Sequence, residues 1–87
     1  DYAAAAGLRV VIGHGFGLTL STLAEAAVAA TSDAVIPGCE AVGPLKMAGD
    51  VVADPVRLGE GVLHLADTPG HGETIDSEAL KRYRVER

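Results

Sequence analysis

Two side chains in this 87-residue chain have the type and placing for proton-transfer chemistry, His14 and Glu40. A neutral histidine near pH 7 can take a proton, and a glutamate in its acid form can give one or hydrogen-bond a developing oxyanion. Each follows an apolar run that stops at a glycine. Val10-Val11-Ile12-Gly13 precedes His14, and Val35-Ile36-Pro37-Gly38-Cys39 precedes Glu40. In α/β folds, chemistry gathers at the carboxyl ends of strands, which is where both residues stand if these runs are strands. Gly13, Gly15 and Phe16 flank His14. The spacing Gly13-x-Gly15-x-Gly17 falls short of a dinucleotide fingerprint, which needs its third glycine at position 18, occupied by Leu18. There is neither a phosphate-loop Lys-Ser/Thr pair nor a Gly-x-Ser-x-Gly elbow, so nucleotide hydrolysis and serine-hydrolase chemistry find no support. His64 and His71 lack helical metal-ligand spacing and read as ordinary strand and loop residues.

The elements that would position His14 and Glu40 form a strand, helix, strand unit. Residues 10–12 are β-branched without polar alternation, the pattern of a strand covered on both faces. From 18 to 31, Leu20, Leu23, Ala24, Ala27, Val28 and Thr31 make one apolar stripe at helical spacing, and Thr22-x-x-Glu25 fits a capping box, with Thr19 or Ser21 as the alternative N-cap. Residues 33–36 read as a second short strand, stopped by Pro37-Gly38. Such a unit crosses over with its strands parallel, so His14 and Glu40 are expected on one face, at the carboxyl ends. Further on, a loop with a short helical piece covers 38–47. Strands at 55–58 and 62–65 are expected to pair through Gly59-Glu60-Gly61. Residues 73–75 read as an extended piece, and Asp76 or Ser77 as the cap of a last helix carrying Glu78 in its first turn and Lys81 and Arg82 at its end.

Composition bounds the rest. A chain this short buries only about 60–65% of its unfolded surface, and its apolar residues are mostly small, with three aromatics in all. The thin core suits strands and helices packed into a larger body. The sequence opens Asp1-Tyr2-Ala3-Ala4-Ala5-Ala6-Gly7, the end of a helix with no initiator Met, so a piece of a longer protein is expected. A net charge of −5, with its basic residues crowded only into the last seven positions, speaks against nucleic-acid or anionic-membrane partners. The single Cys39 excludes an internal disulfide and fits a reducing, cytoplasmic setting.

Several stretches in order carry a family resemblance: Gly7-Leu8-Arg9-Val10-Val11-Ile12-Gly13, the Ala-rich helix, Glu40-Ala41-Val42-Gly43-Pro44-Leu45-Lys46-Met47 with Asp50-Val51-Val52, and Pro69-Gly70-His71-Gly72-Glu73-Thr74-Ile75-Asp76 with Leu80 and Tyr83. Together they resemble the carboxyl end of the mandelate racemase and muconate lactonising enzymes of the enolase superfamily. The resemblance implies an α/β fold: the last two strands and intervening helix of a modified TIM-type barrel (residues 1–47), followed by a hairpin and helix that join the capping region (48–87). It implies a parent that removes the proton α to the carboxylate of a small substrate through an enolate, as a racemase or epimerase, cycloisomerase or dehydratase. Mg²⁺ would be bound by residues upstream of Asp1, and the parent would be a homo-oligomer. Glu40 matches the glutamate at the end of the last barrel strand, implied to act as acid or hydrogen-bond partner. His14 is implied as a base by the racemase-like branch. The 26-residue step to Glu40 and the Glu-x-x-Gly-Pro-Leu text stand closer to the muconate branch, where this loop shapes the pocket, which implies Gly13, Gly15 and Phe16 as pocket lining. Alone, the chain is expected to be inactive. The rival reading is a small non-enzymatic α/β interaction module that pairs its strand edges with a partner chain.

Overall fold

In a computed structural model, the described residues are 1–13, 16–56 and 61–86. The Ala-rich start forms a short helix, α1 (Tyr2–Ala5), which ends through Gly7 at φ +72°, a backbone state that costs glycine nothing. The chain then runs extended, and Val10 pairs in parallel with Val35. The Val10 N–H donates to the Ala34 carbonyl at 2.8 Å, and the Ile36 N–H donates to the Val10 carbonyl at 2.9 Å. Between the two segments lies α2 (Thr19–Ala29), so the parallel crossover unit of an α/β fold is present, with its strands reduced to a single bridge.

The start of α2 differs from the sequence expectation. Leu18 is the N-cap and contributes no side-chain bond, so neither the Thr22-x-x-Glu25 box nor a Thr19 or Ser21 cap forms. The helix begins at Thr19, which leaves Thr22 inside it and buried. The Asp50 carboxylate, 31 residues away, caps it instead. The buried face is also rotated from the expected stripe. Thr19, Thr22 and Leu23 are buried, whereas Ala27 and Val28 are exposed. The reason is that the 50–56 segment ties itself to the helix's first turn at Thr19, while the described residues leave Ala27, Val28 and Ala30 exposed.

A single turn of 3₁₀ helix at Gly43–Lys46 starts at Gly43-Pro44, where proline's fixed φ suits a first helical position, and it packs against α2. Val52 then pairs antiparallel with Ile75, flanked by Ala53 N–H to Thr74 O and Asp76 N–H to Val51 O, both 2.8 Å. This pairing gives the expected extended piece at 73–75 its partner. The expected hairpin through residues 59–61 falls largely on 57–60, outside the described residues. The last helix, α3 (Ser77–Tyr83), is capped by Asp76, whose side chain accepts from the N–H groups of Glu78 and Ala79. Lys81 and Arg82 lie in its last turn, where they complement the helix dipole.

Among the described residues, Leu23 and Val52 are the buried hydrophobic side chains, while Leu8, Val11, Val28, Leu45, Leu65 and Leu80 are exposed. Residues 10–12 were expected to be covered on both faces. Val11 is instead 54% exposed, since the described residues leave that side of the strand open.

Candidate active site

The site grows from the way the parallel pairing ends. Beyond the Ile36 rung the second strand loops out through Pro37 and Gly38, with Gly38 at φ +95°, and returns so that the Glu40 N–H donates to the Ile12 carbonyl at 2.8 Å. Glu40 is thereby tied to the last residue of the first strand, one position before Gly13. Its neighbours Cys39 and Ala41 line an apolar groove of about 570 Å³ with Ala26, Ala30 and Ile36. Glu40 does not line that groove and is exposed. The turn continues past Glu40, whose carbonyl accepts from the Val42 N–H at 2.8 Å.

The loop between the first strand and α2 is held against the Glu40 loop by close backbone packing. A Cβ on Gly43 would overlap the carbonyl oxygen of Gly17, so glycine is required for these two loops to touch. Phe16 sits at φ +58°, in the left-handed region that L residues adopt at a cost, and its ring lies 5.3 Å from the Lys46 Nζ, within cation–π reach. The tie at Asp50 is the strongest. Its Oδ2 accepts from the Thr19 N–H at 3.0 Å and from the Thr19 hydroxyl at 2.6 Å, and its Oδ1 accepts from the Val51 N–H at 2.7 Å. The same Thr19 hydroxyl accepts from the Val56 N–H at 3.0 Å. An anion at a helix N-terminus is favourable because the first-turn N–H groups have no partner within the helix. Here it also anchors the end of the 13–18 loop.

Of the residues expected at the site from sequence, Glu40 stands at the strand end, and Gly13 and Phe16 are exposed on the adjoining loop. His14 and Gly15 lie outside the described residues. Sequence reasoning missed the Asp50 cap and the two hydrogen bonds of the Cys39 thiol, to the Ile12 N–H and the Ile36 carbonyl. The signal for Asp50 was a lone carboxylate following a Gly-Pro-Leu turn, which local capping rules do not reach. His64 and His71, read as ordinary strand and loop residues, line a smaller cleft of about 270 Å³ with Asp54 and Glu73. No group of three or more His, Cys, Asp or Glu among the described residues could hold a metal ion. The described residues therefore do not fit a Mg²⁺ site.

Comparison with known proteins gives this geometry its relatives. The family profile described as "Enolase C-terminal domain-like" matches residues 1–79. The chain is 33% identical to muconate cycloisomerase 1 of Pseudomonas putida over 81 residues, covering 93% of this chain and 22% of that protein. It is 30% identical to the chloromuconate cycloisomerase of Cupriavidus pinatubonensis over 83 residues, covering 95% and 22%. Among solved structures, the muconate lactonizing enzyme from Klebsiella pneumoniae superposes with a TM-score of 0.88 at 31% identity, over 97% of this chain and 23% of that one. The chain thus spans between a fifth and a quarter of the length of these relatives. With that profile matched over residues 1–79, the chain belongs to the enolase C-terminal domain-like family.

Proposed function

We propose that this chain is the carboxyl-terminal portion of an enzyme that removes the proton α to the carboxylate of a small acid, forming an enolate, with cycloisomerisation as the reaction. The names of the relatives, muconate and chloromuconate cycloisomerases, support that class over racemisation, epimerisation or dehydration, which share the same proton-transfer step. The observation that carries the reading is Glu40 tied by its N–H to the Ile12 carbonyl at the strand end and exposed there. An α proton beside a carboxylate is very weakly acidic, so the enolate needs hydrogen-bond donors fixed in advance around the developing charge. In this proposal Glu40 supplies a proton or a hydrogen bond to the substrate or enolate. Gly13, Gly15 and Phe16 line the pocket, and His14 serves either as the base or as part of that lining. Mg²⁺, which would neutralise the enolate's charge, is proposed to be held by the remainder of the enzyme, and no step here runs through it. The 48–87 segment is proposed to join the capping region, and the segment alone to be inactive.

The exposed apolar side chains support a chain covered by more protein, as a non-enzymatic interaction module also would be. Activity separates the two readings. In the full-length enzyme, assayed with small unsaturated dicarboxylates and by solvent-deuterium incorporation at the α carbon, Glu40→Gln is expected to slow turnover by about 10². Unchanged turnover removes Glu40 from the site, and a full-length protein with no exchange on any such acid favours the module.

A further inference from the structure

A regular parallel ladder continues rung by rung, and here one rung is missing. After Ile36 N–H to Val10 O, the next bonds of a regular pairing would run from Ile12 N–H to Ile36 O and from the residue 38 N–H to Ile12 O. Instead, the loop at Pro37-Gly38 spreads the strands, and the Cys39 thiol enters the gap. The Ile12 N–H donates to Sγ at 3.2 Å, and the thiol donates to the Ile36 carbonyl at 3.2 Å. The interrupted ladder resumes two residues late, with the Glu40 N–H, in place of that of residue 38, donating to Ile12 O.

We propose that Cys39 is the positioning residue of the site: its thiol stands in for the lost rung and thereby fixes the register of Glu40. The inference rests on the proposed role of Glu40. A thiol is both donor and acceptor, and its long C–S bond reaches across a widened rung. Without it, a half-buried N–H and a half-buried carbonyl lose their partners, and the strand can relieve them by slipping back into the regular pairing. That slip is of two residues, so it keeps the face of the strand but carries Glu40 about 6–7 Å along it and out of place. Displacements of about 1 Å at a reacting group cost up to about 10² in rate.

The test uses the full-length enzyme. Cys39→Ala is expected to lower kcat by about 10-fold or more with KM within about 3-fold, and to speed hydrogen exchange at the Ile12 and Glu40 amides. Cys39→Ser, which keeps a donor and an acceptor, is expected to restore kcat to within about 3-fold of the parent. In a Glu40→Gln background, Cys39→Ala is expected to cost nothing further, since residues acting through one group are non-additive. If Cys39→Ala does not fold, Cys39→Val fills the same space without a polar atom and carries the same test. Full activity of Cys39→Ala alongside a crippled Glu40→Gln overturns the positioning role alone. An equal loss from Cys39→Ala in both backgrounds also overturns it, because that loss is general destabilisation. Full activity of Glu40→Gln sinks the catalytic reading, and the positioning role falls with it.

Discussion

Replacing Asp50 should release the loop that leads into α2. The carboxylate accepts three hydrogen bonds, two of them from Thr19, which is fully buried. Bonds to a charged acceptor contribute about 1.5–3 kcal/mol each, and the favourable placing of an anion at a helix N-terminus adds about 0.3–1 kcal/mol. The terms overlap, because all three bonds share one carboxylate. For Asp50→Ala the combined loss is therefore about 3–5 kcal/mol, since Thr19 keeps two buried donors with nothing to accept them. Asp50→Asn keeps one acceptor oxygen but loses the charge, for about 1–2 kcal/mol. Hydrogen exchange followed by mass spectrometry on the peptide spanning residues 16–22 of the full-length enzyme reads this locally. At about 1.4 kcal/mol per tenfold, the Ala variant should exchange at least about 10²-fold faster at Thr19, with the Asn variant between it and the parent. A change below about threefold for Asp50→Ala would refute the claim that this cap holds the loop.

Two further substitutions test the frame around the site. Gly43→Ala would push a methyl group onto the Gly17 carbonyl oxygen, and the cost of forcing the loops apart should be about 2–3 kcal/mol, read as a lower urea midpoint together with lower turnover. Asp76→Ala removes the acceptor for two first-turn N–H groups of α3 and should cost about 1 kcal/mol, visible as fraying of residues 77–80 in hydrogen exchange and with turnover unaffected.

Periodicity and punctuation were enough to read α2, the parallel relation of its flanking segments and the Asp76-capped last helix, because each is decided within a dozen residues. The helical turn inside 38–47 was also legible, since Pro44 at its start marks it. What escaped was set at long range. The cap of α2 comes from Asp50 and the partner of Ile75 is Val52, neither of which any local window contains. The buried face of α2 was misjudged for a related reason: hydrophobic spacing marks every face that could be covered, whereas Thr19 and Thr22 are buried by the segment that happens to cross them. At the site, the pattern located Glu40 at a strand end. It could not show that two residues loop out ahead of Glu40 or that a thiol closes the gap, because a bulge leaves no periodic trace.

The contact between Gly17 and Gly43 has a consequence for anyone wishing to re-engineer these two loops. With main chain resting on main chain, neither loop offers slack to absorb an insertion or a bulkier residue in the other. The two must be exchanged as one cassette. A library that diversifies only the segment around Phe16 should yield mostly misfolded clones, whereas transplanting both stretches from a single donor should keep its seam intact.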